Sequence, residues 1–573
     1  MGGAKSDFTR MLTSRRPRRL PASGSRTVGA WWRATVEAHT SRDAVREHGY
    51  GVTYRELDDR SARLACGLLS LGLGKGARVG LLFPNGSDWI ASWLAVSRIG
   101  GIAVCLSTFF SPRELADALQ RADVAVLLAA DRYLRHDYLE RLEGSLPELR
   151  GADGQDPLVL LGAPYLRSIW TSGVMRPSWS RGSLLDLEAM AERSRFRAEA
   201  LLPSVERASA AADLAIMIFT SGSTATPKAV AHTNGVLTDK ILYMAETNSI
   251  IPFDTEPGDR LLIVSPLFWV GGLLRMGGAL SAGATVVCED DHSVAALAER
   301  IRSERVTHVS RWGPVEQALE EAGCNSDELD SFKPQTVTQL PYMRAGRGIP
   351  SGRFPNSLGM TETMGPHSGQ VSGGLLPEGK DGSFGPALPG MEFKIVDPLT
   401  REAAPSGAMG ELLVRGRWLM DGFYKCDRNE VFEIDGFYAT GDNCSLDDDG
   451  HLYFHGRLGG MIKTSGANVS PEEVETVIRS HPDILEVAVF GIPHPTMDEM
   501  VAAVVAKRPL TDLDEPELQQ FLRSQLSSFK VPKRIVFMAQ EDLPRTASQK
   551  IRKAALVELV VARSSGHVDR AQP

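Results

Sequence analysis

A short loop near the middle of the chain carries residue types that bind phosphate. The stretch TSGSTATPK, residues 220–228, follows the apolar run DLAIMIF and combines hydroxyl side chains with a glycine and a lysine. Gly222 allows close approach of the backbone to a ligand, and Lys228 adds positive charge. The spacing is not that of a Walker A loop, because Pro227 stands where the second glycine belongs. On its own the loop predicts either a polyphosphate site or an ordinary surface turn. Its hydroxyl donors are Thr220, Ser221, Ser223 and Thr224.

Four further stretches that could carry chemistry follow downstream. They are GMTET at 359–363, YATGD at 438–442, GRLGGMIKTSGANVSPEEVE at 456–475 and PRTASQKIRK at 544–553. A carboxylate such as that of Asp442 can accept two hydrogen bonds from a vicinal diol of the kind found in ribose. Singly, however, each stretch is also explained by a turn, a β-turn aspartate or a surface lysine.

The elements that must position these motifs follow from hydrophobic periodicity. Residues 53–72 have the pattern of an amphipathic helix with a capping box between Thr53 and Glu56. Strands are predicted at ARVGLLF, GIAVCLS and VAVLLAA, with helices between them, the second of which is capped by Ser111 and Glu114. This alternation predicts an α/β fold with doubly wound, largely parallel sheets. Residues 145–210 are rich in proline, glycine and arginine and hard to assign, and they are interpreted as a long excursion.

Two later changes in the pattern mark further subdivisions. Between 380 and 450, short β runs such as MEFKIVD and GELLVRG alternate with glycine and proline turns, which predicts a small β-rich subdomain. After LYFHGRLGG, about 110 residues alternate helix and strand, which is enough for a separate α+β domain. Its first helix is expected to begin at Ser470, with Glu473 closing a capping box.

Composition limits the class of protein. The chain has 573 residues, of which 43% are hydrophobic and 23% charged, so more than one domain is expected. No apolar stretch is long enough for a membrane span, and the net charge of −8 gives no reason to expect nucleic-acid binding. The six cysteines form no C-x-x-C pair, so a reduced, cytoplasmic protein without a zinc site is expected.

The start of the chain differs from the rest in charge. The first 26 residues carry a net charge of +6 and show no periodic apolar pattern. Residues 1–28 are therefore predicted to be a disordered basic arm, with a transit peptide or a tether to an anionic surface as alternatives.

Taken together, the five motifs in this order resemble the adenylate-forming, or AMP-binding, superfamily. Its members include acyl-CoA synthetases, peptide-synthetase adenylation domains and beetle luciferases. The resemblance runs from about residue 30 to residue 553 and is strongest to fatty-acid and related carboxylic-acid:CoA ligases, notably in GMTETMGPHS and MIKTSGANVSP. It implies a large N-terminal domain at 29–456, a hinge at 457–460 and a small mobile α+β C-terminal domain at 461–573. It also implies ATP-dependent, Mg²⁺-assisted activation of a carboxylic acid to acyl-AMP with release of pyrophosphate, followed by transfer to CoA.

The resemblance assigns roles in adenylation to individual residues. Thr361 would contact the α-phosphate of ATP, and Glu362 would hold Mg²⁺ between the phosphates. Lys228, with the loop before it, would contact the triphosphate. Lys550 would bridge the substrate carboxylate and the α-phosphate. Because Lys550 lies in the small domain and Thr361 in the large one, catalysis would require the two domains to close.

Ribose binding and the second half-reaction are assigned around the hinge. Asp442 and Arg457 match the residues that contact the ribose in this family. The hinge position falls at Gly459, about which family members rotate the small domain between the half-reactions. After rotation, a narrow tunnel for the pantetheine thiol would be lined by Lys463, Gly466, Ala467 and Asn468.

The acyl pocket is predicted in the stretch SPLFWVGGLLRMGG. Trp269 lies where relatives often have a histidine or an aromatic gate, and Gly271 and Gly272 would leave room beside it. Ordinary core packing of Trp269 is the alternative. No aspartate stands near Phe268 to bind a substrate amine, which disfavours an α-amino acid as the substrate.

Several departures from the family pattern bear on activity. Ala225 and Ala229 stand where glycine is usual, which would cost on the order of 1 kcal/mol at any site that needs a positive φ. Gln549 replaces a glycine before the proposed catalytic lysine. Leu358 stands where an aromatic ring commonly stacks on adenine, and the usual Gly-Gly-Ala segment is not recognisable within 336–357.

Alternatives to a carboxylic-acid:CoA ligase remain open. One is a ligase that loads the phosphopantetheine of a carrier protein, and another is a degenerate member that binds nucleotide or a partner without catalysis. A luciferase-type oxygenase is a further one. The acid itself is not predicted, and the resemblance implies a monomer or a homodimer.

Overall fold

The computed structural model describes most of the chain. The described residues are 26–134, 136–173, 175–193, 198–220, 227–247, 255–309, 331, 356–370, 376–458, 460–508, 511–545 and 551–565. Among them, no helix has the length and apolar character needed to cross a bilayer. The predicted basic arm lies outside the described residues up to position 25.

The helices are short to medium in length, and several begin at a side chain that accepts a hydrogen bond from the first turn. Such N-caps are Thr27, Thr53, Asp137, Ser293, Ser470 and Asp514. The helices are α1 Val28–His39, α2 Tyr54–Ser70, α3 Ser87–Arg98, α4 Pro112–Arg121, α5 Tyr138–Ser145, α6 Leu184–Arg193, α7 Ala198–Ala208, α8 Asn234–Thr247, α9 Val270–Ser281, α10 Val294–Ser303, α11 Arg428–Val431, α12 Pro471–Arg479, α13 Glu515–Gln525 and α14 Lys553–Ser565.

The strands alternate with the helices in the first half of the chain and cluster after residue 359. They are β1 Asp43–Glu47, β2 Tyr50–Thr53, β3 Arg78–Leu82, β4 Ile102–Cys105, β5 Val126–Ala129, β6 Arg132–Tyr133, β7 His136–Asp137, β8 Ser168–Thr171, β9 Gly182–Ser183, β10 Leu214–Thr220, β11 Lys228–Thr233, β12 Arg260–Leu262, β13 Thr285–Val287, β14 His308–Val309, β15 Gly359–Met360, β16 Gly365–Pro366, β17 Met391–Val396, β18 Gly410–Gly416, β19 Gly422–Phe423, β20 Tyr438–Leu446, β21 Leu452–Arg457, β22 Ile462–Thr464, β23 Ala467–Val469, β24 Ile484–His494, β25 Asp498–Lys507 and β26 Arg534–Phe537.

The largest sheet has eight strands in the order β19-β11-β10-β4-β3-β5-β8-β9. The strands from β10 to β9 pair in parallel, whereas β11 and β19 pair antiparallel. The consecutive strands β3, β4 and β5 are joined by α3 and α4, as the predicted alternation requires. Both capping boxes predicted in this region are present, at Thr53–Glu56 and at Ser111–Glu114. The predicted α/β class with parallel sheets is confirmed.

A second sheet has the order β14-β12-β13-β1-β2, and β2 is its antiparallel edge strand. The interpretation of residues 145–210 as a long excursion is wrong. This region supplies β8 and β9, which extend the eight-stranded sheet, and the helices α6 and α7. These two strands are only four and two residues long, so they leave too little periodicity to be recognised in the sequence.

The predicted β-rich subdomain is a four-stranded sheet in the order β17-β18-β20-β21. The pairs β17–β18 and β18–β20 are antiparallel. A buried apolar cluster packs on it, formed by Leu358, Ile395, Leu412, Val414, Cys444 and Leu452.

The chain divides into two compact units. The larger comprises Met1–Thr108, Leu119–Phe219 and Ala229–His455, and the smaller comprises Phe109–Ala118, Thr220–Lys228 and Gly456–Pro573. The smaller unit has its own sheet, β23-β22-β25-β24, with β26 paired to β25. Alternate residues of β24 enter two different apolar clusters, Val489 with the helices α12 and α13 and Phe490 with α14. The hinge position within 457–460 stays a prediction.

One buried lysine joins two of the three segments of the smaller unit. Lys530, only 2% exposed, donates from Nζ to Glu114 Oε1 at 2.6 Å and to Glu473 Oε1 at 2.7 Å. Glu473 was expected to close a capping box with Ser470, and that expectation is wrong. Its carboxylate pairs with Lys530 instead, because burial makes an unpaired carboxylate costly.

Candidate active site

The predicted phosphate loop and the predicted catalytic lysine fall largely outside the described residues. Residues 221–226, six of the nine loop positions and among them Ala225, are not described, and neither are Gly459, Gln549 and Lys550. Thr220 is the last residue of β10, and Lys228 is the first residue of β11. Ala229 lies inside β11, and its φ is not positive. Alanine therefore causes no backbone strain at this position.

The GMTET motif forms a very short hairpin in the larger unit. Gly359 pairs with Pro366 and Met360 with Gly365, and the intervening residues Thr361–Thr363 form a single 3-10 turn. The next residue, Met364, has a φ of 46° and is fully buried. Glu362 is 8% exposed. Because two-residue strands cannot fix a turn by themselves, the placement of Thr361 and Glu362 depends on neighbouring elements.

Two neighbouring segments hold this turn through its backbone carbonyls. His232 Nε2 lies 2.8 Å from the carbonyl oxygen of Thr361. The backbone amide of Met420 donates to the carbonyl oxygen of Glu362 at 2.8 Å. His232 is in β11, and Met420 precedes β19, the antiparallel partner of β11. The turn is thus fixed from two neighbouring segments of the eight-stranded sheet.

A buried lysine contacts the far side of the same hairpin. Lys240 of α8 is fully buried, and its Nζ donates to the carbonyl oxygen of Pro366. The Nζ atom also lies 3.6 Å from the centre of the Trp418 ring. Burial lowers the pKa of Lys240 to about 6, with a smaller contribution from Arg417. A neutral amine retains the N–H donors that this contact needs.

Asp442 lies in β20 of the four-stranded sheet and is 3% exposed. Its backbone amide donates to Thr440 Oγ1 at 3.1 Å. The apolar cluster on this sheet contains both Leu358, which precedes the GMTET hairpin, and Cys444 of β20. The hairpin therefore lies close to β20. Leu358, which the sequence places at the adenine-stacking position, is 7% exposed and forms part of this core.

The predicted acyl-pocket residues lie at the start of α9. Phe268 is 3% exposed and contacts the half-buried Trp269 edge to face, with ring centres 5.8 Å apart. A Cβ atom on Gly365 would lie 2.7 Å from Leu274 Cδ1 of α9, so this helix packs against the GMTET hairpin. The prediction that both glycines leave room beside Trp269 needs correction for Gly272. A Cβ atom there would lie 2.0 Å from the carbonyl oxygen of Pro266.

This difference between the two glycines predicts unequal effects of alanine. Gly272→Ala is expected to lower the free energy of unfolding by about 1–3 kcal/mol, since the new methyl group meets backbone that cannot move aside. Gly271→Ala is the matched control, because a Cβ there meets only the flexible end of Arg275, at 3.2 Å. Urea denaturation of both variants measures the effect. Equal stability of the two variants would contradict the packing described for Gly272.

The predicted thiol-tunnel residues form a hairpin in the smaller unit. Thr464 pairs with Ala467 across a two-residue turn in which Ser465 and Gly466 both have positive φ, at 48° and 78°. Such turns match the twist of paired strands. Lys463, Gly466 and Asn468 are exposed, whereas Ala467 is only 7% exposed. Arg457 is the last residue of β21.

Sequence reasoning missed His232 and Lys240. Both are buried in the larger unit and both donate to the backbone of the GMTET hairpin. The sequence offers one signal for each residue. His232 is a polar residue within the apolar run of β11, and Lys240 lies in the helix that follows β11. Neither signal names the partner, because the contacting residues are more than 120 positions away.

Comparison with known proteins gives consistent matches over nearly the whole chain. The family described as AMP-binding enzyme matches residues 32–424, and the AMP-binding enzyme C-terminal domain matches residues 473–550. The indoleacetate–CoA ligase of Aromatoleum aromaticum is 30% identical, over 91% of this chain and 96% of its own. The mitochondrial medium-chain acyl-CoA ligase ACSF2 of Danio rerio is 26% identical, over 93% and 88%.

Solved structures extend the likeness to the fold. The amide bond synthetase McbA from Marinactinospora thermotolerans is 26% identical, with a TM-score of 0.72, over 92% of this chain and 99% of its own. The family match covers more than half of the chain and includes the GMTET hairpin, β11 and α9. The chain therefore belongs to the AMP-binding enzyme family.

Proposed function

We propose that this protein is an AMP-forming ligase that activates a carboxylic acid as acyl-AMP and transfers the acyl group to CoA. The observation that carries the proposal is the buried Glu362 in the Thr361–Thr363 turn of a chain of the AMP-binding enzyme family. The names of the relatives support the CoA step, since they are CoA ligases of aromatic and medium-chain acids.

The chemistry explains why charged and hydrogen-bonding groups are needed. A carboxylate is a poor electrophile, so its oxygen attacks the α-phosphorus of ATP. A bond from this oxygen to phosphorus forms, the bond to the β-phosphate oxygen breaks, and pyrophosphate leaves. In the second step the CoA thiol attacks the acyl carbon, loses its proton, and AMP leaves. The protein must align the attack and neutralise phosphate charge.

The chain's own residues supply these functions. Thr361 contacts the α-phosphate, and Lys228 with the loop from Thr220 to Thr224 contacts the β- and γ-phosphates. Glu362 would supply one carboxylate to hold Mg²⁺, and the ion would neutralise phosphate charge when bound. Lys550 stabilises the charge shared by the two reacting oxygens.

Further motif residues bind the ribose and the acyl group. Asp442 and Arg457 bind the ribose. Phe268, Trp269 and Gly271 line the acyl pocket, which takes a fatty acid or a related acid. No aspartate adjoins Phe268, which fits an acid without an α-amino group. The small residues near Lys463 leave a passage for the pantetheine arm.

A pyrophosphate-release screen tests the proposed function. The full chain is assayed with ATP, Mg²⁺ and acids of graded length and ring content, with reactions lacking acid, ATP or Mg²⁺ as controls. We expect pyrophosphate release that depends on all three, and AMP and acyl-CoA once CoA is added. Release without turnover of CoA would favour a carrier-protein phosphopantetheine as the acceptor. Absence of release with every acid would favour a non-catalytic member of the family.

Asp442→Asn tests the ribose assignment. The change removes the charge that strengthens two hydrogen bonds, so KM for ATP is expected to rise about 10-fold to 100-fold with a smaller change in kcat. Asp448→Asn is the control, because Asp448 lies in a nearby exposed turn, where it accepts from Ser406 Oγ at 2.6 Å. Steady-state kinetics measure both. A KM within twofold of the wild-type value would remove Asp442 from the nucleotide site.

A further inference from the structure

His232 contacts a residue of the proposed catalytic turn without being one of the motif residues. It is the fifth residue of β11, the strand that begins at Lys228. The ring is fully buried, and Nε2 lies 2.8 Å from the carbonyl oxygen of Thr361. A carbonyl oxygen can only accept, so Nε2 must carry the hydrogen.

The environment of the ring keeps it in this one protonation state. Burial lowers the pKa of His232 to about 4, although the hydrogen bond to Thr361 opposes the shift. Among the described residues, no group is placed to receive a hydrogen from Nδ1. The neutral Nε2–H tautomer is therefore the form present at neutral pH.

The carbonyl oxygen of Thr361 also accepts a hydrogen bond from the backbone amide of Met364 at 3.0 Å. This second bond closes the 3-10 turn on itself. Loss of the donor at His232 would leave this carbonyl with the internal bond from Met364 but without its bond from β11. The turn would then keep its own shape but lose its attachment to β11.

Lys240 gives the same hairpin a second attachment. Its Nζ donates to the carbonyl oxygen of Pro366, on the strand that pairs with the start of the motif. His232 and Lys240 are eight positions apart in the chain, and they lie on the consecutive elements β11 and α8. One continuous segment of chain therefore supplies both side-chain donors.

We propose that His232 and Lys240 are positioning residues for adenylation, which hold the Thr361–Glu362 turn in place from the strand that begins at Lys228. This proposal rests on the proposed function and names the residues that would position the Thr361–Glu362 turn for that function. β11 begins at Lys228, the last residue of the predicted triphosphate motif, so the motif and His232 are four positions apart in the chain. Neither side chain needs to touch the substrate.

The test compares His232→Leu with His232→Gln. Leucine fills the space and removes the donor, whereas the amide nitrogen of glutamine reaches about as far as Nε2 and can donate. His232→Leu is expected to lower kcat for acid-dependent pyrophosphate release about 10-fold to 100-fold, because a small displacement of Thr361 and Glu362 would misalign the reacting groups. The KM for the acid is expected to stay within threefold. His232→Gln is expected to recover kcat to within threefold of wild type.

Further variants and assays separate positioning from a general loss of stability. Lys240→Met is expected to lower kcat in the same direction by a smaller factor. His308→Leu is the matched control, because His308 is also fully buried in the larger unit but belongs to the other parallel sheet. The kcat of His308→Leu, corrected for the fraction of folded protein, is expected to match that of wild type.

The second half-reaction is expected to be affected less. Transfer from supplied acyl-AMP to CoA is expected to change less than threefold in His232→Leu.

Hydrogen exchange gives a readout that does not need activity. The peptide spanning 359–366 is expected to exchange faster in His232→Leu than in wild type, and at the wild-type rate in His308→Leu. Unchanged exchange, or equal loss of kcat with leucine and glutamine, would overturn the proposal. A wild-type protein without acid-dependent pyrophosphate release would overturn the proposed function instead, and the exchange rates would still decide whether His232 holds the turn.

Discussion

Lys550→Ala is expected to lower the rate of acyl-AMP formation about 100-fold to 1,000-fold. The proposed role of Lys550 is to neutralise charge on the carboxylate and the α-phosphate as the new bond forms, and removal of one such donor has effects of this size in other enzymes. Transfer of the acyl group from supplied acyl-AMP to CoA should fall less than about 10-fold, because the α-phosphorus is no longer attacked in that step. Single-turnover assays of the two half-reactions measure both rates.

Lys553→Ala provides the control for this experiment. Lys553 is three residues away, is largely exposed and pairs with Glu475 Oε1 at 2.7 Å. Glu475 keeps the hydrogen bond that it accepts from the Val489 amide at 2.9 Å, so removal of Lys553 should leave both rates within about twofold. Adenylation by Lys550→Ala within threefold of wild type would contradict the assignment. An adenylation rate already absent in the wild-type protein, and unchanged in the variant, would support the degenerate alternative.

Glu362→Gln is expected to lower adenylation about 100-fold, which corresponds to about 2.7 kcal/mol of transition-state stabilisation. Glutamine keeps the shape of the side chain, and the backbone stays fixed by the hydrogen bond from Met420 to the Glu362 carbonyl. The change therefore removes mainly the negative charge that binds a hard cation. The Mg²⁺ concentration needed for half-maximal rate should rise in parallel, which a titration with Mg²⁺ at fixed ATP measures.

Glu392→Gln is the matched control for the loss of a carboxylate. Glu392 is exposed in β17 and pairs with Arg415 Nη2 at 2.5 Å, within the same unit. Neither the rate nor the Mg²⁺ requirement should change in this variant. A Glu362→Gln enzyme with a wild-type Mg²⁺ requirement would show that the cation is held by other groups.

The fold was predictable where local signals are strong. Alternation of apolar strands and capped helices identified the parallel sheets, and the Thr53–Glu56 and Ser111–Glu114 capping boxes are present. The failures occur where a distant residue changes a local preference. Glu473 pairs with Lys530, 57 positions away, instead of closing its box. Likewise, β8 and β9 gain their stability from neighbouring strands and carry little pattern of their own.

The candidate site was predictable as a set of motifs, but not as an arrangement of contacts. The order of five motifs was enough to name the family, and the family match confirms it. The spacing could not reveal that Gly272 packs against the Pro266 carbonyl, nor that Leu358 belongs to a core cluster. The contact between His232 and Thr361 spans 129 positions, so only folding brings the two together.

The most direct test of the central claim is the stoichiometry of products from one reaction. The full chain is incubated with ATP, Mg²⁺, CoA and the acid selected by the pyrophosphate screen, and nucleotides and thioesters are separated by chromatography. The proposed function predicts AMP, pyrophosphate and acyl-CoA in equal amounts, each dependent on the acid. Formation of ADP in place of AMP, or of AMP without any acyl-CoA, would contradict it.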